Sequence, residues 1–442
     1  MLIGIVIIIY ITASVIALIH PRTALLCFWP LVLCYPAWLL WGIFPLNAGF
    51  DDLFLICLFV GSLVKGQGRV RVGWPVIAAI LFCIFAVLGD LSSILTREDL
   101  MLSTVWKRGL KSAGLVFLTF SMCSVITTPR QIKKMIYFFL MGAGLGGIFV
   151  IFYSVNEYAY NPFQVPYWAQ GLSFQLHEAL GPFNTHDTAG GVLGFAVLTG
   201  YFLIRFTKGG LEKTAILMIT GILFLGLILC NSRSGWIFAA VPLILSSLLS
   251  KRKALGIFLL VIIIIGVLIS TVKFEVFERR LEKTAQQWRG QTLESRTAGR
   301  FIVWKDNLSH PSAKWLLFGE GFAVQIMHPH SNYISIFKNM GCIGILFWTA
   351  YYVKIFKKSS WLKKYDPVQD MSAIVAGVFW SYIGYLVFFV TATPVMWSSV
   401  RYIDFFLMTL VCLRYKQVET GAEYVYLDES YENEPSYYYQ CC

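Results

Sequence analysis

Charge is what this sequence has least of. Asp, Glu, Lys and Arg together make up 14% of its 442 residues, where a soluble domain carries about 25%. With 57% hydrophobic residues and a mean hydropathy of +0.67, an ordinary water-soluble domain is excluded. Among ten cysteines there is no Cys-x-x-Cys pair, which argues against zinc-ribbon or thiol-redox work. Cys27, Cys34, Cys57, Cys83, Cys123, Cys230, Cys342 and Cys412 lie in or beside apolar runs, where a thiol behaves as a small hydrophobe. Cys441 and Cys442 have the form of a prenylation signal, but nothing else in the sequence supports that reading. No basic stretch precedes the first apolar run, so Leu2–Ile19 is expected to remain as a span. Nor is there a Lys or Arg anywhere from Asn156 to Asp187.

What is abundant is apolar sequence in lengths that suit a bilayer. A span needs about 20 mostly apolar residues, and such runs recur along nearly the whole chain. Leu2–Ile19, Trp74–Leu88, Ile136–Tyr153, Ala215–Cys230, Leu255–Thr271 and Met371–Val390 are the clearest. The expected fold class is all-α, a polytopic transmembrane helix bundle of about 12–13 spans. Between Arg22 and Leu46 the count is open, since Pro30 and Pro36 could mark one kinked span or two half-spans.

The net charge of +12 is informative through its placement. Lys65, Arg69 and Arg71 form one short basic loop, Arg130, Lys133 and Lys134 another, and Arg205, Lys208 and Lys213 a third. Lys251–Lys253 and the group Lys354, Lys357, Lys358, Lys363 and Lys364 complete the series. Basic loops at alternate connections are expected in the cytoplasm. The loops between them, at Asn47–Asp52, Asp90–Lys111, Asn156–Asp187, Asn231–Gly235, Lys273–His330 and Thr391–Ser399, then face outside. Residues 1–416 read as one transmembrane domain, with 273–330 as its large external loop. Residues 417–442 read as a disordered, acidic cytoplasmic tail containing Tyr424, Tyr426, Tyr431, Tyr437, Tyr438 and Tyr439. A solvated tail and a docking segment for polysaccharide-assembly partners both fit that composition.

Polar residues at the external face must carry any function. The loop 273–330 holds nine Lys/Arg against six Asp/Glu, a positive excess on the side where the topology bias disfavours it. A phosphorylated ligand or an amphipathic helix on anionic lipid could account for this. Phe274, Phe277, Leu281, Ala285 and Trp288 are spaced for such a helix. Four segments go beyond that. Ser232-Arg233-Ser234-Gly235-Trp236 is wedged between two apolar spans, where an arginine could simply snorkel. Ser295-Arg296-Thr297-Ala298-Gly299-Arg300 is followed by Trp304, placing Arg300 and Trp304 on one helical face. His328-Pro329-His330-Ser331-Asn332-Tyr333 leads into a span. Its two histidines could ligate a metal, yet no third ligand stands nearby. Gly181-Pro182-Phe183-Asn184-Thr185-His186-Asp187 opens another span at its outer end.

In this order, with Gly319-Glu320-Gly321-Phe322 and Gly341 between and after them, these segments resemble the bacterial O-antigen ligase and O-antigen polymerase family. The resemblance runs from about Pro182 to Gly344 and is specific as a set. It departs from the family pattern at Ser331, with Asn332 next to it, and at Asn339, where an acidic residue is common. The resemblance implies a GT-C-like glycosyltransferase architecture with a helical periplasmic loop, in the bacterial cytoplasmic (inner) membrane. It also implies inverting transfer of a glycan from polyprenyl (undecaprenyl) diphosphate to a glycan or lipid A-core acceptor. His330 matches the family's histidine position.

The chemistry such a transfer needs can be argued from the residues. A departing polyprenyl diphosphate gathers negative charge that metal or fixed cations must meet. No Asp-rich metal motif lies on the external side, and arginine grips phosphate bidentately. Arg233 and Arg300 are the expected diphosphate ligands and His330 the expected general base. His328, Asn332, Trp304, Asn184 and Asp187 are supporting candidates. No metal, cofactor or nucleic acid is expected; membrane lipids are. Transport of a polysaccharide or lipid is the competing class, but it predicts inverted repeats and mid-membrane charge pairs that the sequence does not display.

Overall fold

The computed structural model describes residues 2–34, 50–65, 73–94, 102–155, 183, 186–207, 209–230, 232–249, 300–308, 313–321, 331–392 and 398–421. Among these the chain is helical throughout, with no strand. The helices are α1 (Leu2–Ile19), α2 (Pro21–Cys34), α3 (Phe50–Lys65), α4 (Trp74–Ile94), α5 (Leu102–Val125), α6 (Pro129–Val155) and α7 (His186–Phe206). They continue with α8 (Gly210–Leu229), α9 (Arg233–Leu248), α10 (Arg300–Leu308), α11 (Ala313–Phe318), α12 (Asn332–Tyr365), α13 (Gln369–Thr391) and α14 (Ser398–Glu419). Six of them are long and apolar enough to cross a membrane: α4, α6, α7, α8, α12 and α13. Segments of α1, α2, α5 and α9 are apolar but shorter. The protein is therefore a multi-pass helical membrane protein.

Burial separates the inside of the bundle from its rim. In the candidate span of α7, 89% of the residues are buried, against 28% in α8, so α7 is central and α8 turns most of its surface to lipid. α14 is a second central helix. Nearly every residue from Val400 to Cys412 is buried, although Arg401, Asp404 and Arg414 make its sequence too polar to read as an ordinary span. Around Asp404 lies a shell of rings. Tyr351 Oη donates to Asp404 Oδ1 at 2.8 Å, Tyr352 Oη to Oδ2 at 3.1 Å, and Tyr382 Oη to the Asp404 carbonyl at 2.6 Å. A carboxylate inside a membrane bundle must find such donors, and these tie α12 and α13 to α14.

Several elements extend beyond their expected limits. α5 begins at Leu102, so Lys107, Arg108 and Lys111 stand on a helix where the sequence suggested a loop. Lys111 pairs with the buried Asp52 at 2.6 Å, which compensates both charges where α3 meets α5. Pro30 sits inside α2 without ending it; Pro36 lies outside the described residues. α14 carries on to Glu419, past the expected boundary at 416. Two short helices, α10 and α11, lie within the segment 273–330. The amphipathic stretch 274–291, the run 255–271 and the tail from 422 lie outside the described residues.

α12 sets the depth scale. At about 1.5 Å per residue, the 17 steps from Gly341 to Lys358 cover about 26 Å, close to a hydrocarbon core of about 30 Å. Gly341 breaks the helix near one end with φ 63° and ψ −161°. Basic groups gather at the other end, some in internal ties. Lys133 bridges Asp370 at 2.7 Å and Glu212 at 3.0 Å, and Tyr137 donates to Glu212. Arg414 forms a buried two-pronged pair with Asp366, Nε to Oδ2 at 2.7 Å and Nη2 to Oδ1 at 2.6 Å.

Candidate functional site

At the end of the bundle away from these ties, the N-termini of α7 and α9 come together, and α12 begins at the same end, packed on α13. α7 and α9 touch almost backbone to backbone. A Cβ on Gly235 would stand 2.6 Å from the Gly190 Cα, and one on Gly190 would stand 2.6 Å from Ser232 Oγ. Two glycines at this crossing let the helix starts approach as small residues do in membrane bundles. Gly235→Ala is expected to force the pair apart and lower stability by about 1–3 kcal/mol. A thermal-unfolding midpoint equal to that of the native protein in the same detergent would count against this packing.

The close approach brings Asp187, in the first turn of α7, onto the start of α9. Asp187 Oδ1 accepts from Ser232 Oγ at 3.0 Å and from Ser234 Oγ at 3.3 Å. Ser232 is also the N-cap of α9, its Oγ accepting from the Gly235 N–H at 3.1 Å, which satisfies one of the helix's open donors. Arg233 stands between the two serines as the first helical residue, with its side chain exposed. Trp236 completes the segment differently. Its Nε1 donates to the Leu227 carbonyl at 2.8 Å, capping the last turn of α8. In Ser-Arg-Ser-Gly-Trp, four residues therefore build the corner and one, Arg233, projects from it.

The third helix start is joined through α13. Tyr333 Oη donates to the Leu386 carbonyl at 2.9 Å, and its ring meets Phe389 edge-on at 5.6 Å. The neighbouring Phe388 packs beside Gly191 of α7, together with Val400 of α14. Asn332, the first residue of α12, is wholly buried. Helix N-termini carry partial positive charge and open N–H donors, so this end favours an anion. The carboxylate of Asp187 lies there as well, held by two hydroxyls.

The Gly-Glu-Gly segment has a structural role that the sequence left unassigned. Gly319 and Gly321 both adopt φ 75°, a left-handed conformation open chiefly to glycine. The Glu320 N–H donates to the Lys338 carbonyl at 2.7 Å and the Gly321 N–H to the Asn339 carbonyl at 3.0 Å. A Cβ on Gly321 would stand 2.4 Å from the backbone at Gly89 and Asp90, and one on Gly341 2.4 Å from Leu317. The segment is thus clamped between the end of α4 and the kink of α12. Buried Asn339, whose Nδ2 donates to Ser335 Oγ at 3.0 Å, sits in this clamp. Its departure from the acidic residue of the family pattern therefore bears on packing at the kink.

Of the residues singled out by sequence, the structure unites Asp187 with the two serines that flank Arg233, and sets Asn332 at the same end. Trp304 is half-buried on α10, in the turn following Arg300, the first residue of that helix. The Arg300 side chain and residues Asn184, His328 and His330 lie outside what is described. The link from Asp187 to Ser232 and Ser234 could not be read from sequence, because it joins positions 45 and 47 residues apart. Among the described residues, no three His, Cys, Asp or Glu side chains are grouped to hold a metal.

Residues 214–349 match the model of the O-antigen ligase family. The matched stretch runs from α8 through α9, α10 and α11 into α12, and so includes the Ser-Arg-Ser-Gly-Trp corner and the kink. Asp187, on the partner helix, falls before it. No curated relative matches the chain.

Proposed function

We propose, from the O-antigen ligase and polymerase assignment that the family match supports, that this chain transfers a glycan from a polyprenyl diphosphate carrier to an acceptor hydroxyl at the outer face of the bacterial cytoplasmic membrane. One observation carries the reading. Arg233 projects from a helix start whose neighbouring side chains are tied down, at the corner where the N-termini of α7 and α9 meet. A guanidinium carried at such a corner suits a diphosphate, since it stays charged and offers paired donors.

The acceptor oxygen attacks the anomeric carbon from the side opposite the diphosphate. A new carbon–oxygen bond forms as the old one to phosphate breaks, and configuration inverts. His330 takes the acceptor's proton. Arg233 and Arg300 meet the charge that grows on the leaving diphosphate. Asn332, Trp304, Asn184 and His328 support the acceptor side, and Asp187 balances the arginine end before donor binds. The same steps serve a polymerase, whose acceptor is a second lipid-linked repeat, and a ligase, whose acceptor is a lipid A core.

Fixed cations in place of metal make a direct expectation. Transfer by purified protein from lipid-linked donor should continue in excess EDTA. Complete loss of transfer that magnesium or manganese restores would refute the arginine-based mechanism. In cells, deletion separates the two reactions: single-repeat caps on the lipid core mark a lost polymerase, and accumulated lipid-linked polymer marks a lost ligase.

A further inference from the structure

At the basic end of the bundle, away from the transfer site, the ends of α4, α5, α12 and α14 enclose a cleft of about 490 Å³. That volume lies within the roughly 300–1,000 Å³ of small-molecule sites. Its floor is apolar, with Ile126 and Leu413, and its wall carries Trp74, Lys358, Tyr415 and Lys416. Two ammonium groups are held against aromatic faces there. Lys354 Nζ lies 3.7 Å from the centre of the Trp74 ring, and Lys358 Nζ 3.3 Å from that of Tyr415. The buried indole N–H of Trp74 has no hydrogen-bond partner among the described residues. Glu419 is the acidic group of the rim; it is exposed and accepts from Tyr415 Oη at 3.1 Å.

We propose that this cleft binds the headgroup of an anionic phospholipid from the leaflet on the basic side. Two ammonium groups of the lining, Lys358 and Lys416, outweigh its one carboxylate, and Lys354 adds a third positive charge from behind the Trp74 ring, so the cleft favours a negative occupant. The apolar floor beside them suits the glycerol and first methylenes of a lipid, which a free ion lacks. The depth is right too. Lys358 lies about 26 Å along α12 from the kink at Gly341, at the level where headgroups stand. Basic pockets between helix ends are where anionic headgroups are held. The inference uses the membrane reading and not the proposed transfer chemistry.

Native mass spectrometry of the full chain in detergent tests this, with phosphatidylglycerol and phosphatidylcholine titrated in parallel. Phosphatidylglycerol should bind at least about ten-fold more tightly. Lys354→Ala with Lys358→Ala should weaken it by about five-fold per lysine. Lys354→Arg with Lys358→Arg, which keeps both charges and their ring contacts, should restore it. Equal affinity for the two lipids would overturn the proposal, and that arm needs no variant to fold. So would full competition by soluble glycerophosphate, which would make the site one for free phosphate. A chain truncated after Gly421 addresses the acidic tail. Unchanged phosphatidylglycerol binding supports the lipid as occupant, and binding seen only after truncation would give the cleft to the tail.

Discussion

Replacing His330 by alanine is expected to lower glycan transfer by about 10²–10⁴ while leaving donor binding nearly intact. A general base acts on the acceptor proton in the transition state, so its loss falls on turnover. The arginines should behave differently. Removing one charge-assisted contact to a departing oxyanion costs on the order of 10²–10³ in rate, and here the donor's own affinity should fall with it. Arg233→Lys and Arg300→Lys should rescue poorly, because lysine keeps a point charge but not the planar fork. Arg279→Ala, on the stretch expected from sequence to be amphipathic, is the mild control. Membrane levels of each variant must match the native protein before rates are compared. Full activity of His330→Ala would move the base to Asp187 or to Glu178, in the stretch between Asn156 and Asp187 that carries no Lys or Arg. Asp187 has the weaker claim, since Ser232 and Ser234 already donate to its Oδ1. Full activity of both lysine variants would move the diphosphate clamp towards Arg108. Lys111, the neighbouring alternative, is paired with the buried Asp52 at 2.6 Å.

These residues show what sequence could and could not disclose. The spans are legible where hydropathy is continuous, as in α4, α6, α8 and α13, because burial in lipid requires it locally. α14 is legible only from the loops on either side of it, because Asp404 and Arg414 interrupt its hydropathy; they are met by hydrogen bonds from Tyr351 and Tyr352 and by the ion pair with Asp366, tens of positions away. The same holds at the site. Ser-Arg-Ser-Gly-Trp stands out as a polar island between apolar runs, yet its division of labour appears only in three dimensions. Trp236 caps α8, Gly235 meets Gly190, and the serines hold Asp187. In Gly-Glu-Gly the glycines are visible in sequence. The reason for them, a positive φ at two places in a clamp between α4 and α12, is not. Basic residues near the helix ends are visible in sequence, but that Lys133 and Arg414 are also internal struts is not.

Arg414 leads to the second large effect. Its side chain and that of Asp366 are 1% and 0% exposed, and the pair joins the α12–α13 connection to α14. Asp366 Oδ1 also accepts from the Val368 N–H at 2.9 Å. Gln417, which Arg414 Nη1 contacts at 3.3 Å, donates to the Thr127 carbonyl at the end of α5 at 2.9 Å. Asp366→Ala strands a guanidinium that cannot shed its proton, and is expected to cost about 3–5 kcal/mol. The pair itself is worth far less than that figure, since desolvating two charges offsets most of their attraction. Asp366→Leu combined with Arg414→Met, which removes both charges and keeps the volume filled, should therefore unfold within about 1 kcal/mol of the native protein or above it. Thermal unfolding of all three proteins in one detergent, followed by intrinsic fluorescence, makes the comparison. If the single variant melts with the native protein, the guanidinium finds water or another acceptor, and this end of the bundle is looser than the buried pair implies. If single and double variants fall equally, the loss belongs to the shape of the connection and not to the stranded charge.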